Sequence, residues 1–439
     1  MSDLSRREFL KYLGIGALGF VARPKLLSAL ERRLPFTDDA SDVVQCYDVN
    51  ATSGNTINEP VVQVMVDESV KALTGQSTVG EAWKSLFPGI TTSSVIGIKV
   101  NCINSSLPTH PAVVRCIING LAQMDLGGTL FKKNNVIVWD RTNSELTASG
   151  YSIYTGTDPD TARCFGTNQS GVGYDTTKPL NVGGVSQNPS KIISQMCEFI
   201  INAAVLKTHS QGVVTLTLKN HYGSVHSPSS LSHSNSCTPS VPALSAQIRD
   251  VLTPTGKQKL FFIDGLFGLY SGGPGGSPNF NPKLILMSRD TVACDYQGQN
   301  VINAERQRRS LTPVNCAHIT MAAQSPYNLG TTDVNLIEIN NPTGIAEPGR
   351  LPNSAGFVVV PDPFRGRATV SFSLPVASPV SIELLNQSGA VTASVFRGEL
   401  GRGQHRIAVV TGNRLAGGTY FMRVASRAGT RVRKVTVLN

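Results

Sequence analysis

The stretch Phe199–Val225, FIINAAVLKTHSQGVVTLTLKNHYGSV, decides how the rest of the chain is interpreted. It begins with an apolar run typical of a buried strand, continues into polar residues, and then repeats this order with a second apolar run. Its reactive side chains stand where apolar runs end, and ligand sites in α/β sheets lie at the ends of strands. We therefore predict a functional site that contains Lys207, His209, Lys219, Asn220 and His221.

Alternating strands and helices around this stretch predict an α/β domain with a mostly parallel sheet and helices on both faces. The predicted strands are Val61–Val66, Val95–Val100, Val136–Trp139, Leu260–Ile263 and Leu284–Met287. The predicted helices are Thr78–Leu86, about His110–Met124, Val241–Val251, and Asp290 to about Ala304. We expect N-caps whose side-chain oxygens accept hydrogen bonds from the first turn at Thr78, Thr109 and Asp290.

Two segments of this domain lack a clear period. Residues 141–190 are rich in Gly, Ser, Thr and Asn, which indicates a long excursion over the surface that would serve as a lid. Residues 265–278, GLFGLYSGGPGGSP, predict a glycine-rich loop after a strand that ends at Asp264. The loop has neither a GxxxxGK[ST] motif nor GxGxxG spacing, so the sequence supports no nucleotide site there.

Polar residues also stand near the ends of the other predicted strands. Asp140 follows one strand, Asp264 follows another, and His110 lies at the start of a helix. We expect these side chains to share a rim with the first stretch and to contribute to ligand binding. The predicted ligand-binding residues are Lys99, Asn101, His110, Asp140, Lys219, Asn220 and Asp264.

The residue types in this rim suggest two kinds of ligand. Lysines that converge would bind an anion such as a phosphate or carboxylate, whereas solvated lysines, or lysines paired with aspartates, would bind none. His209 and His221 are the candidate metal ligands, because imidazole suits zinc, copper, iron and nickel. The same two histidines and Lys207 are the candidate catalytic residues, because they can carry protons.

The net charge of +10 is unevenly distributed. Residues 1–36 carry seven Lys and Arg against three Asp and Glu, and residues 357–439 carry eleven against three. The middle of the chain holds 21 basic and 23 acidic residues, so it has no excess of positive charge. We therefore expect no nucleic-acid partner for the α/β domain.

The eight cysteines stand far apart in the sequence, and no two form a CxxC pair. This spacing does not support an iron-sulphur cluster or a zinc ribbon, and the cofactor stays unknown, with a metal ion as one alternative. The cysteines are either disulfide partners or small buried hydrophobic residues, and the sequence assigns no pairs.

An export signal is predicted at the start of the chain. SRREFLK, residues 5–11, places Arg6 and Arg7 before a short apolar run that glycines interrupt. This pattern is typical of a twin-arginine signal, so we expect the twin-arginine export machinery as a partner. We expect the protein in the periplasm, at the cell surface or outside the cell.

The last part of the chain changes to short alternating apolar runs with turns, which predicts a small antiparallel β-sandwich. We predict four regions: the signal segment 1–36, the α/β domain 37–340, a linker 341–356 and the β-sandwich 357–439.

This sandwich resembles the C-terminal sorting domain of type IX secretion substrates and the immunoglobulin-like domain of flagellar hook-capping proteins. The resemblance rests on Pro361–Phe364, the strand Thr369–Leu374, the turn Asn386–Gly389, the run Gly417–Phe421 and the final basic strand. It implies the outer-membrane secretion machinery as a second partner. An adhesive or linker sandwich is the alternative.

The middle of the chain, about Val95 to Ala304, resembles the family called domain of unknown function 362. The resemblance rests on a series in the same order: Lys99–Asn101, Thr109–Pro111, Val205–His209, Thr215–Gly223, Ile263–Gly265, Gly272–Pro274 and Ser288–Asp295. It implies an α/β fold and a site, but no established reaction. This chain lacks the CxxCxxCxxxCP run of the members that carry iron-sulphur clusters.

Two functions therefore remain open from the sequence. The first is an exported protein that binds an anionic or metal-containing ligand at strand ends, as a redox or acid–base enzyme. The second is a non-catalytic protein of the cell surface that binds a partner or sequesters a metal.

Overall fold

The computed structural model describes residues 40–252, 256–343, 357–360, 364–374, 377–386, 389–401, 403–410, 415–426 and 429–438. The predicted signal segment and most of the predicted linker lie outside the described residues. So do Pro361, Asp362, Pro363 and part of the turn Asn386–Gly389, on which the resemblance of the sandwich partly rests.

The strands of the α/β domain begin close to the first described residue. In chain order they are β1 (Ser41–Tyr47), β2 (Thr52–Ser53), β3 (Thr56–Ile57), β4 (Ile96–Lys99), β5 (Val136–Trp139), β6 (Arg163–Cys164), β7 (Leu180–Val182), β8 (Val185–Gln187), β9 (Phe199–His209), β10 (Val213–Thr215), β11 (Gln258–Leu269), β12 (Leu284–Ser288) and β13 (Val334–Asn340). A nine-stranded sheet has the order β13-β1-β12-β11-β9-β4-β5-β6, with β10 paired to β9.

The central sheet is mostly parallel, as predicted. β9 runs parallel to both β4 and β11, β4 to β5, β5 to β6, and β1 to β13. β12 runs antiparallel to both of its neighbours, and β10 runs antiparallel to β9. The carboxyl ends of β4, β5 and β9 therefore meet at one edge of the sheet, where ligand sites of α/β proteins lie.

Helices cover the sheet, and both of its faces are buried. The helices are α1 (Glu59–Thr74), α2 (Val79–Leu86), α3 (Pro111–Leu121), α4 (Asn143–Ala148), α5 (Thr217–Asn220), α6 (Ser240–Gln247), α7 (Thr291–Arg308) and α8 (Ala317–Ala323). Alternate residues of β5 enter two separate hydrophobic clusters, with Val136 and Val138 in one and Ile137 and Trp139 in the other. This alternation is what a sheet covered on both faces requires.

Most predicted elements are present, and one was predicted with the wrong type. Val61–Val66 is not a strand but lies within α1, which has Pro60 in its first turn. The buried residues of this helix recur at helical spacing: Val62, Met65, Val66, Ser69, Val70 and Leu73. The run of six residues is too short to show helical periodicity, which becomes visible only when the residues up to Leu73 are included. Considered alone, the run therefore favoured a strand.

The predicted N-caps are correct at two helices and wrong at the third. The Thr78 hydroxyl accepts a hydrogen bond from the Glu81 amide, and Asp290 accepts from two amides of the first turn of α7. At α3 the N-cap is His110. The Thr109 hydroxyl instead donates to the Ala203 carbonyl, which ties the loop after β4 to the neighbouring strand.

The glycine-rich loop begins later than predicted, because β11 continues through Asp264 to Leu269. At Gly273 an added Cβ would lie 1.8 Å from the Thr208 carbonyl oxygen, so only glycine permits this approach of the loop to β9. The segment 141–190 is less irregular than predicted, since it contains α4 and three short strands, of which β6 joins the central sheet.

The C-terminal part of the chain forms two antiparallel sheets. Its strands are β14 (Val358–Val360), β15 (Arg367–Leu374), β16 (Ser378–Leu385), β17 (Val391–Leu400), β18 (Gly403–Val410), β19 (Gly418–Ser426) and β20 (Gly429–Val437). β14, β15 and β18 form a three-stranded sheet, and the other four form the second. Both sheets contribute to one hydrophobic core, as the predicted small β domain requires.

Among the helices that the structure describes, none is long and apolar enough to cross a membrane.

Candidate functional site

A cavity of about 620 Å³ lies at the carboxyl edge of the central sheet. Its volume is in the range that holds a small organic molecule. Six of the residues predicted from the sequence line it: Lys99, Asn101, Asp140, His209, Lys219 and Asn220. Lys99, Asn101, Asp140 and His209 stand at or just after the ends of β4, β5 and β9, and Lys219 and Asn220 come from α5.

One end of the cavity is a buried ion pair. Lys99 Nζ lies 2.7 Å from Asp140 Oδ1 and also donates to the Val100 carbonyl at 2.6 Å. Asp140 in turn accepts hydrogen bonds from the Cys102 and Arg141 amides. Both side chains are at most 6% exposed, so the two charges compensate each other away from water.

Gly223 packs against this ion pair. A Cβ added at Gly223 would lie 2.7 Å from Asp140 Oδ1 and 2.9 Å from Lys99 Nζ, which is closer than real contacts allow. The absence of a side chain therefore leaves room for the pair beside the cavity. We call Lys99, Asp140 and Gly223 the Gly223 end.

A buried network continues from this end beneath the cavity. Asn101 Nδ2 donates to Asn220 Oδ1 at 3.1 Å, and Lys207 Nζ donates to Asn101 Oδ1 at 2.7 Å. Lys207 is fully buried and does not line the cavity. Burial lowers the pKa of Lys207 to about 7, although the Asp140 carboxylate opposes this effect. Lys207 therefore supports Asn101 from behind, and the structure gives it no direct access to a ligand.

The opposite end of the cavity is organised by the turn between β9 and β10. His209 Nδ1 accepts hydrogen bonds from the Gln211 and Gly212 amides, at 3.1 and 2.9 Å. The ring proton therefore resides on Nε2, which has no partner among the described residues. Burial, together with the nearby Lys219 ammonium, lowers the pKa of His209 to about 4. The imidazole is thus a neutral hydrogen-bond donor at physiological pH.

Lys219 lies at the same end and has no carboxylate partner among the described residues. Its ammonium stands 4.5 Å from the centre of the Tyr222 ring. A Cβ added at Gly212 would lie 3.0 Å from Lys219 Cε and 3.3 Å from His209 Cγ. The side chains of Lys219 and His209 therefore both lie next to the position that this Cβ would occupy. Burial lowers the pKa of Lys219. We call Lys219, His209 and Gly212 the Gly212 end.

Asp295 holds the segment that presents Lys219. Its carboxylate accepts from the Thr217 amide and hydroxyl and from the Leu218 amide, at 2.7, 2.6 and 3.0 Å. Burial raises the pKa of Asp295 to about 7, whereas these hydrogen bonds lower it. The carboxylate satisfies amides at the start of α5 and thereby fixes the direction of the short helix.

His221 lies beneath the cavity and does not line it. Its ring nitrogens contact Ser224 Oγ at 2.9 Å, Gln258 Oε1 at 2.8 Å and Asn202 Nδ2 at 3.1 Å. Burial lowers the pKa of His221 to about 4. The predicted association of His221 with His209 in one metal or catalytic site therefore finds no support in the arrangement of the side chains.

His110 and Asp264 form a separate pair, and neither lines the cavity. Asp264 Oδ2 accepts from the His110 amide at 2.9 Å and lies 2.7 Å from His110 Nδ1. Burial opposes protonation of His110, but the Asp264 carboxylate prevails and raises its pKa. Asp264 is distant from the strand end because β11 continues for five residues beyond it.

The part of the chain that the structure describes contains no group of three or more His, Cys, Asp and Glu side chains placed to hold a metal ion. All eight cysteines are buried and free. Their burial agrees with the interpretation as small hydrophobic residues.

Several lining residues are not among the site residues predicted from the sequence, including His233, for which the sequence favoured an exposed Ser-rich loop over a metal site. They are Ile103, Arg141, Glu145, Ser210, Gln211, Thr215, Tyr222, Gly223, Pro228, Ser229, His233 and Pro274. Tyr222 and Gly223 directly follow the predicted residues in KNHYG, so their position was a usable signal. Arg141 and Glu145 form an ion pair at 3.1 Å, in which Arg141 precedes the N-cap of α4 and Glu145 lies in its first turn.

The fold and the cavity place the protein among α/β proteins with a ligand-sized cavity at the carboxyl edge of a mostly parallel sheet. Residues 96–299 match the family described as "Domain of unknown function (DUF362)". The match confirms the resemblance of the central part of the chain to this family, and it includes every site residue predicted from the sequence. No curated protein matches the chain.

Solved structures show only distant similarity. A protein from Thermotoga maritima is 9% identical with a TM-score of 0.31, and the match covers 58% of this chain and 60% of that one. An endo-beta-1,4-mannanase double mutant from Cellulomonas fimi is 10% identical with a TM-score of 0.18, over 91% and 94% of the two chains. Similarity at these values carries no conclusion about activity.

Proposed function

We propose that the cavity binds a small anionic ligand, with the Lys219 ammonium as the main determinant. The charged side chains that line the cavity are three cations and two anions: Lys99, Arg141, Lys219, Asp140 and Glu145. Lys99 pairs with Asp140, and Arg141 pairs with Glu145. Lys219 alone keeps an uncompensated charge among these described groups, and this is the observation that carries the proposal.

An anion bound at Lys219 would neutralise the charge of its buried ammonium. A buried ammonium is costly without a partner, and a ligand carboxylate or phosphate would supply one. His209 Nε2 would add a neutral donor that needs no change of protonation state. The binding site is therefore the Gly212 end, and the Gly223 end forms the opposite wall.

The experiment is native mass spectrometry of the protein purified from its own host, with Lys219→Met and Lys132→Met as variants. We expect a bound small molecule in the wild type and in Lys132→Met, whose lysine is exposed. We expect its loss in Lys219→Met, because a hydrogen bond to a charged group contributes about 1.5–3 kcal/mol, roughly tenfold or more in affinity.

Two results would contradict the proposal. One is a bound molecule that Lys219→Met retains as well as the wild type does. The other is a wild type that carries no added mass and releases no heat when titrated with inorganic phosphate or acetate. Elemental analysis of the same sample tests the alternative function, sequestration of a metal, which requires a stoichiometric metal content.

Acid–base catalysis on the bound anion is a second candidate function. The observation that favours it is the position of Lys219 in the cavity beside His209, where burial lowers the pKa of the ammonium. Lys219→Arg keeps the charge but cannot release a proton, so we expect it to retain the ligand without turnover. Turnover by Lys219→Arg at the wild-type rate would leave a non-catalytic binding protein as the function.

We also propose that the protein is exported by the twin-arginine machinery and that the C-terminal sandwich interacts with outer-membrane secretion machinery. The motif around Arg6 and Arg7 and the resemblance of residues 357–439 support this proposal. Replacing both arginines by lysine should leave the protein in the cytoplasm, as cell fractionation would show. Unchanged export of this double variant would refute the proposed route.

A further inference from the structure

We infer that the anion is an organic monocarboxylate with a largely apolar body and an uncharged polar group at its far end. This inference rests on the proposed function and names the class of ligand. Three features of the cavity lead to it: the two donors at the Gly212 end, the size and apolar wall of the middle, and the compensated charge at the Gly223 end.

The Gly212 end offers two donors to one anionic group. Lys219 and His209 stand on either side of the point where a Gly212 side chain would begin. The ammonium of Lys219 and the Nε2–H of His209 can therefore each donate to one oxygen of the same carboxylate. A single available cation matches a single negative charge.

The middle of the cavity is too large for an inorganic anion. A water molecule occupies about 30 Å³ of liquid, so an anion the size of a few waters would leave most of the 620 Å³ unfilled. Ile103, the Tyr222 ring, Pro228 and Pro274 provide apolar wall. Ile103 is 59% exposed, and an apolar ligand body would remove part of this surface from water.

The Gly223 end disfavours a second negative charge. Lys99 already pairs with Asp140, so another anion there would meet the Asp140 carboxylate without a free cation. Asn101 also lines the cavity, and beyond its bond to Asn220 Oδ1 its Nδ2 has a second hydrogen that can be donated to an uncharged polar group, such as a hydroxyl. Dicarboxylates should therefore bind less tightly than monocarboxylates of similar length.

The test is calorimetric titration of the full chain with four probes: 4-hydroxybenzoate, terephthalate, acetate and inorganic phosphate. We expect 4-hydroxybenzoate to bind at least about tenfold more tightly than acetate or phosphate, because its ring fills the apolar middle. We expect terephthalate, which has a second carboxylate in place of the hydroxyl, to bind several-fold more weakly than 4-hydroxybenzoate.

Asp140→Asn tests the role of the Gly223 end directly. The variant frees the charge of Lys99, so the disadvantage of terephthalate relative to 4-hydroxybenzoate should disappear. A disadvantage that persists in a folded variant would overturn the assignment of this end. If the variant does not fold, the wild-type ranking of the four probes decides the inference.

The inference and the proposed function fail in different ways. Tightest binding of phosphate or terephthalate, or equal binding of all four probes, would overturn the monocarboxylate class alone. If none of the four probes binds, the class is overturned as well, and the proposed function fails with it only when the wild type also carries no added mass. Binding that Lys219→Met leaves unchanged would instead overturn the proposed function, whichever probe binds best. Lys132→Met should reproduce the wild-type ranking.

Discussion

The two lysines at the ends of the cavity have different surroundings. At the Gly223 end, Lys99 is 1% exposed and forms a 2.7 Å ion pair with Asp140. At the Gly212 end, Lys219 is also buried, but it contacts the face of Tyr222 and has no carboxylate partner in the described part of the chain. One ammonium is therefore used inside the protein, and the other is available to a ligand.

The two lysines therefore have different roles, one in a structural ion pair and one in ligand binding, although both look alike in the sequence. A buried ion pair contributes through geometry, and its loss leaves a charge without compensation. A buried ammonium without a partner lowers the stability of the folded protein. A protein can tolerate this loss of stability when a ligand supplies the counter-charge. The comparison predicts that the Gly223 end matters more for stability and the Gly212 end more for binding.

The largest expected effect is at Asp140. Asp140→Ala should lower the free energy of unfolding by about 3–5 kcal/mol, because it leaves Lys99 as a buried charge and orphans two amides. Lys219→Met should change the same quantity by less than about 1 kcal/mol without ligand, since methionine fills similar space without a buried charge. Urea unfolding of both variants measures the difference. Equal losses would remove the distinction between the two ends.

A smaller effect is expected when a methyl group is added at either end. In Gly223→Ala the new Cβ would approach Asp140 Oδ1 to 2.7 Å, so the ion pair must shift, and we expect a loss of about 1–3 kcal/mol in stability. In Gly212→Ala the new Cβ would lie 3.0 Å from Lys219 Cε, 3.1 Å from Cys237 Sγ and 3.3 Å from His209 Cγ. These approaches are longer than those at Gly223, so this variant should lose less stability than Gly223→Ala and should bind 4-hydroxybenzoate more weakly.

Thermal unfolding and calorimetry on the two alanine variants distinguish these outcomes. A Gly212→Ala protein that loses more stability than Gly223→Ala would show that the turn between β9 and β10 is mainly structural. The comparison between the ends would then have to be abandoned.

The sequence was sufficient to predict the edge of the sheet that carries the cavity. Lys99, Asp140 and His209 stand where apolar runs end, and parallel strands bring such positions together whatever the details of the loops. Four of the six predicted residues that line the cavity stand at or just after such strand ends, whereas Lys219 and Asn220 reach it from α5. Asp264 does not line it, because the apolar run of β11 continues through glycines that resemble a loop in the sequence.

The direction of side chains beyond a strand end could not be predicted. Asn220 and His221 are neighbours in the sequence, yet Asn220 lines the cavity and His221 lies beneath it. The apolar run before them begins as strand β10 and then turns into the short helix α5, in which successive side chains diverge by about 100°. This helix depends on Asp295, which is 75 residues further along the chain than Asn220 and gave no signal of the contact.

The smallest expected effect is the response of ligand binding to alkaline pH. The ligand carboxylate requires the ammonium form of Lys219, and burial lowers the pKa of this lysine below its ordinary value of 10.5. Raising the pH should therefore weaken binding of 4-(hydroxymethyl)benzoate, whose alcohol does not ionise in this range, before an ordinary lysine would lose its proton. His209 stays neutral throughout this range, because its pKa of about 4 lies far below it. Lys207, whose pKa is about 7, loses its proton at the start of the range, so the comparison with a variant that keeps Lys207 is needed.

Lys219→Arg is the matched control, because a guanidinium stays charged across the whole range. Calorimetric titrations from pH 7 to 10 should show a progressive loss of wild-type affinity and little change in the arginine variant. An equal loss in both proteins would mean that another group titrates, and the Lys219 ammonium would no longer account for the charge available at the Gly212 end.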